Sequence, residues 1–70
     1  MKSMDFYADE WREFLENCDF TDVELQIIHL KRTTELRNID IGQELGYSEK
    51  TIIRRCQKIQ KKIIHYITTK

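Results

Sequence analysis

The stretch NIDIGQELGYSEKTIIRRCQKIQKKI, Asn38 to Ile63, decides how the chain is read. Ile41 and Leu45 stand four residues apart on one helical face, with Leu36 above them and Gly42 between. A glycine inside a helix costs up to about 1 kcal/mol against alanine, and a close helix–helix crossing would explain that cost. Gly46 follows Leu45 as a natural left-handed residue at a helix end. Tyr47 then leads into Ser48, a good N-cap, with Glu49 suited to the first turn of the next helix. Ile52, Cys56, Ile59 and Ile63 recur at spacings of four, three and four, which holds them within roughly 60° of one another on a helix. The pattern predicts one helix at about residues 35–45, capped by Thr34 or, in a shorter version, Asn38. A second is predicted at about 49–65, reaching as far as Ile67. A short helix with a small residue, a glycine turn and a capped basic helix follow one another as in a helix-turn-helix. Ile41, Leu45, Tyr47, Ile52 and Cys56 are expected to face inward and fix the angle between the two helices.

Two more helices are expected upstream. Met4, Tyr7, Trp11, Phe14, Leu15 and Cys18 share one arc of a helix over about residues 4–17, with Asp5, Asp9, Glu13 and Glu16 opposite. Ser3 is the expected N-cap, and Phe6 falls on the polar side as an outlier. Thr21-Asp22-Val23-Glu24 reads as a capping box, with Phe20 placed to pack on Leu25 as a hydrophobic staple. Val23, Ile27, Ile28 and Leu30 supply the stripe of a second helix over about 22–32, after which Thr33-Thr34 interrupts. The expected fold is all-α, a small four-helix domain, with Trp11 in the same core as Ile28 and Ile52. Residues 1–70 form a single domain in this reading: an acidic amphipathic N-terminal helix within 1–19, then 20–67.

The 70-residue length, with no proline and two glycines, leaves little room for a deep catalytic cleft and excludes turn-rich sandwiches and barrels. No apolar run approaches the roughly 18 residues of a membrane span, and Met1 to Asp5 lacks a signal-peptide core. The expectation is a soluble, cytoplasmic protein without a membrane partner. Cys18 and Cys56 are too few for a disulfide framework and, like His29 and His65, lack metal-ligand spacing. No metal, cofactor or enzymatic activity is expected. The net charge of zero conceals a segregation. Residues 1–30 carry two basic and eight acidic side chains, a net of −6, while residues 50–70 carry seven basic side chains and no acid. A basic end of this kind is a footprint for a polyanion, the alternative being an ordinary solvated face.

Lys50, Arg54, Gln57 and Lys61 fall opposite the Ile52 stripe, within roughly 60° of one another. In a helix-turn-helix they form the groove face, with Lys50 and Arg54 near bases, Gln57 alongside, Lys61 further down on phosphate, and Lys58 in the same basic run. Ile53, at the margin, can meet thymine methyls or a protein. Glu49 can accept from a cytosine amine or simply complement the helix dipole. Arg37, ahead of the preceding helix, is a candidate phosphate anchor. Trp11, Tyr7 and Phe14 read as core rather than as a base-stacking platform, because the outer face of their helix is acidic.

Asp40 to Ile52 resembles the "EIAEELGISESTV" pattern of bacterial sigma factor region 4 and of the related LuxR-type output domains. Phe20 to Leu30 is similar to the "LTxxExxVLxL" opening of those domains, and Ile59 with Lys61-Lys62-Ile63 to their "RxRKKL" ending. The resemblance spans about residues 20–63. Gly42 stands where the family has alanine and Cys56 where it has leucine. The longer 31–40 segment and the missing helix after the basic ending favour the sigma-like branch. The resemblance implies a stand-alone region 4-like module, similar to small phage or mobile-element regulators of a bacterial host. It also implies that Ser48 and Thr51, besides capping, touch phosphate. The partner it implies is double-stranded DNA, read by a sequence-specific transcriptional regulator. RNA polymerase or another regulator is a candidate partner at the acidic face. A homodimer through the N-terminal helix or through Ile64, Tyr66 and Ile67 is a further candidate. Two other readings stay open: a protein-interaction module that mimics region 4, and a DNA-binding subunit of a phage packaging machine, similar to a small terminase.

Overall fold

The structure, a computed structural model, describes residues 6–69. Four helices follow in order: α1 (Ala8–Asn17), α2 (Asp22–Thr33), α3 (Asn38–Leu45) and α4 (Glu49–Thr69). No strand occurs among the described residues, so the expected all-α, four-helix class holds. The expected Ser3 cap and the Met4 and Asp5 positions lie outside the described residues. At 1.5 Å per residue, the 21 residues of α4 make a rod of about 31 Å. That is most of the 35 Å long axis of the molecule. The other three helices all pack on this rod.

The four-three-four stripe of α4 is the floor of the core. Ile52, Cys56, Ile59 and Ile63 are buried, and Trp11, Phe14, Ile27, Ile28 and Ile41 close over them. Trp11 thus shares its core with Ile28 and Ile52. Two aromatic positions differ from the reading of α1. The helix begins at Ala8, after an extended Tyr7 whose N–H donates to Glu10 Oε1 at 2.9 Å. Because Tyr7 precedes the first turn, its ring leaves the helical register and is 80% exposed. Phe6 takes the vacated place, edge-on to Trp11 at 5.3 Å and to Phe14 at 5.0 Å.

Thr21 and Glu24 form the expected capping box. The Glu24 N–H donates to Thr21 Oγ1 at 3.3 Å, and the Thr21 N–H to Glu24 Oε1 at 2.9 Å. The staple differs: Leu25 is 40% exposed, while Phe20 packs on the core. α3 is shorter than 35–45 and is capped at Arg37, not at Thr34 or Asn38. The reason is local hydrogen bonding. The Thr34 hydroxyl donates back to the Leu30 carbonyl, extending the α2 end, and accepts the Leu36 N–H at 3.3 Å. The α3 end is closed instead by Asp40, whose Oδ2 accepts the Arg37 N–H at 3.1 Å. Leu36 is left outside the helix and exposed.

Between α3 and α4 the chain turns on Gly46, which has φ 81°. The Tyr47 N–H reaches back to the Gly42 carbonyl at 2.7 Å, a six-to-one bond of the Schellman type. Gly42 is buried beneath this turn. A Cβ built there would run into the Tyr47 carbonyl oxygen and lie 3.3 Å from the Ser48 carbonyl carbon. The close approach expected at Gly42 is therefore one of turn backbone to helix. Tyr47, expected inward, is 38% exposed, because its backbone rather than its ring lies over Gly42. Overpacking of this kind typically costs about 1–3 kcal/mol. Gly42→Ala should lower the urea midpoint accordingly, whereas Gln43→Ala, on the exposed side of α3, should change it little.

Candidate nucleic-acid interface

The outer surface of α4 begins at its cap. The Thr51 N–H donates to Ser48 Oγ at 3.2 Å, and the two hydroxyls lie 3.0 Å apart. These bonds start α4 immediately after the turn and place Glu49 in its first turn. From there Lys50, Ile53, Arg54, Gln57, Lys58 and Lys61 are all exposed. Lys50, Arg54, Gln57 and Lys61 form one face, as the spacing predicts. Ile53, 40% exposed, lies on its flank, and none of the ion pairs among the described residues involves the four basic side chains. Ser48 and Glu49 are exposed and Thr51 is half-buried.

Arg37 is held differently. Its guanidinium Nε donates to Asp40 Oδ2 at 3.2 Å, at the start of α3. Hydrogen bonds from the Arg37 side chain and backbone hold the Asp40 carboxyl below its ordinary value. The pair keeps a cation at the N-terminal end of α3 while its side chain remains 80% exposed.

Two side chains near this surface carry a role that the sequence reading missed. Lys62 belongs to the basic run, yet its Nζ donates to Glu24 Oε1 at 2.6 Å and to the Asp19 carbonyl at 2.8 Å. It also lies 5.9 Å from the centre of the Phe20 ring. Glu24 is 1% exposed. Burial pushes its carboxyl up, but hydrogen bonds from Lys62 and Thr21 and the Lys62 charge outweigh this and hold it below its ordinary value. Lys62 is thus a clamp between α4 and the α1–α2 connection. Tyr66 likewise turns inward. Its hydroxyl donates to Glu13 Oε2 at 2.7 Å and its ring meets Phe14 edge-on at 6.2 Å. It is removed from the suggested dimer contact, while Ile64 and Ile67 stay 59% and 52% exposed.

The sulfurs are part of the interior. Cys56 is buried and Cys18 half-buried, and burial pushes both thiols up against the opposing charges of Lys31 and Lys62 respectively. A raised thiol is mostly protonated at neutral pH and a poor nucleophile. Among the described residues no cluster of His, Cys, Asp and Glu is arranged to hold a metal ion. No described helix is long and apolar enough to cross a membrane. Comparison of the chain with protein-family models, with curated proteins and with solved structures found no match.

The clamp gives a signed pH dependence. Because the folded Glu24 carboxyl lies below its unfolded value, its contribution is present above the unfolded range, about pH 4.3. It is lost as pH falls through the lower folded value. Glu24→Gln should therefore flatten the acid limb of a stability–pH profile below about pH 4.3. Lys62→Met leaves a buried carboxylate without its cation and should destabilise the fold by on the order of 3 kcal/mol at pH 7. Glu24→Gln in the Lys62→Met background should recover part of that loss, measured by urea unfolding.

Proposed function

We propose that the chain is a non-enzymatic, sequence-specific double-stranded DNA-binding regulator, a sigma region 4-like helix-turn-helix formed by α3 and α4. Residues 49–62 enter the major groove in this reading. The observation that carries it is the α4 face: Lys50, Arg54 and Lys61, with Lys58 at its edge, exposed and outside the ion pairs among the described residues, on a helix with no acid after Glu49. The Gly46 turn and the Ser48 cap support it by giving α4 an abrupt start with exposed N-terminal turns. Lys50 and Arg54 approach base edges, Gln57 reads beside them and Ile53 meets thymine methyls. Ser48 and Thr51 lie where the positive end of the helix dipole favours phosphate. Lys58, Lys61 and Arg37 neutralise phosphates, and Glu49 accepts from a cytosine amine. One small module makes few base contacts, so useful affinity calls for a second half-site or a tether. Ile64 and Ile67, exposed beyond the last core isoleucine, supply a contact for a second copy, and the acidic outer face of α1 supplies one for RNA polymerase or another regulator. Their exposure also favours a second reading, a protein-interaction module without sequence readout.

Duplex binding separates the two. Lys50→Glu with Arg54→Glu should abolish binding in gel shifts while helicity is kept, since both side chains are exposed. Lys61→Ala should weaken binding to all sequences alike and reduce the salt slope by about one unit. Selection from random duplex should enrich repeated half-sites about one helical turn apart. A folded parent that enriches nothing, or a folded double variant that binds as well as the parent, gives the function to protein interaction.

A further inference from the structure

We infer that the α4 face has a second occupant, the acidic N-terminal half of another copy of this chain, and that this docking competes with duplex. The inference concerns regulation of the proposed DNA face, and its competition clause rests on that reading. The segregation of charge survives folding on different elements. Asp9 and Glu16 project from the outer side of α1, and Asp19 and Asp22 from the α1–α2 connection and the start of α2; all are exposed. Arg12 is the exposed cation among them. Three of the anions in this half are engaged within the chain: Glu24 by Lys62, Glu13 by the Tyr66 hydroxyl and Glu10 by the Tyr7 N–H. Asp9, Glu16, Asp19 and Asp22 take part in none of the ion pairs among the described residues.

Charge complementarity selects the occupant. Asp9 and Glu16 are seven residues apart on one side of α1, a rise of about 10.5 Å. Arg54 and Lys61 have the same separation on α4. A pair of carboxylates at that spacing matches a pair of cations on α4. Within one molecule α1 packs on α4 through the opposite, buried faces of both helices, so the two charged faces meet only between copies. The contact is head-to-tail: each copy offers a different surface to each neighbour, so it leaves both ends open and grows with concentration. It is screened by salt, because exposed pairs are worth little beyond a Debye length of about 10 Å at 0.1 M. A pI near 6.7 leaves no net repulsion to oppose it at neutral pH.

Sedimentation velocity of the full chain tests this at about 20 mM and about 300 mM salt, on either side of that screening range. Mass should rise with concentration at low salt and return to monomer at high salt. Asp9→Lys with Glu16→Lys should be monomeric at low salt, as should Lys50→Glu with Arg54→Glu. An equimolar mixture of the two charge-reversed proteins should associate again, because each supplies the surface the other lacks. A short duplex should dissolve the parent's assemblies. Constant mass at low salt overturns the proposal without touching DNA binding, which gel shifts measure separately. So does association that persists at high salt and is lost in Ile64→Asp with Ile67→Asp. Failure of duplex to bind the parent removes the competition clause and the proposed function, while the salt-sensitive association stands or falls on its own.

Discussion

The backbone of the α3–α4 turn lies directly on Gly42, and the rest of the molecule is oriented by that approach. Only a residue without a Cβ admits the Tyr47 carbonyl at this distance. Once the turn is seated, Gly46 takes the left-handed conformation and the Tyr47 N–H closes on the Gly42 carbonyl. α4 then has one possible starting point, Ser48, and one direction. Everything downstream follows from helical register: Ile52, Cys56, Ile59 and Ile63 go inward, and Lys50, Arg54 and Lys61 go outward. A propensity loss of up to about 1 kcal/mol at Gly42 is small beside the strain of about 1–3 kcal/mol that a side chain there would bring. The glycine is explained by sterics, not by helix stability.

At the far end of α4 the constraint is electrostatic. Glu24 also serves the α2 cap, so its Oε1 is held by the Thr21 N–H at the point where Lys62 meets it. The ammonium then bridges that carboxylate and the Asp19 carbonyl. Burying the carboxylate would be unfavourable in isolation, and the pair earns little net stability over an apolar substitute. What it supplies is register. A sliding or rotation of α4 by one residue would carry Lys62 away from Glu24 and leave a charge unpaired in the interior. The glycine contact at one end and the ion pair at the other hold the rod against both translation and twist.

Much of this was legible in the residues. The four-three-four stripe, the Thr21–Glu24 box, the Gly46 turn and the Ser48 cap are short-range signals, and they appear where the spacing placed them. The misplaced residues fall into two kinds. Lys62 reads by charge as part of the basic run, and Glu24 reads only as the cap residue that it is, although the helical position of each also turns it inward. Glu24 lies between Ile27 and Ile28 on the α2 wheel, and Lys62 only about 60° from Ile59 on the α4 wheel. Tyr66, about 20° from Ile59, was within the apolar arc as well. At all three, periodicity marks burial where residue type does not. Phe6, Tyr7 and the Arg37 cap were not legible, because each depends on where a helix starts. Helix starts are decided by competing local hydrogen bonds, such as the Thr34 hydroxyl turning back to Leu30. The basic face was legible as a face, since four exposed positions at helical spacing need no tertiary information. What binds there is written in no local pattern.

Because α4 is both the floor of the core and the bearer of the charged face, the two roles are separated only by rotation about one axis. Lys50 and Ile52 are two residues apart and point in nearly opposite directions, as do Arg54 and Cys56. The outer positions can therefore change without disturbing the interior, and the interior fixes where the outer positions point. Lys62 marks the boundary between the two roles. It contributes to the basic composition of the helix, yet its charge is spent on Glu24, so any field at the α4 surface comes from Lys50, Arg54, Lys58 and Lys61 and from the partly buried Arg55 between them. A chain of no net charge can present such a field only if its acids are kept on other elements. The exposed carboxylates Asp9, Glu16, Asp19 and Asp22 stand on α1, on the connection after it and at the start of α2. Segregation between helices is thus what allows a neutral domain of this size to offer a basic surface at all.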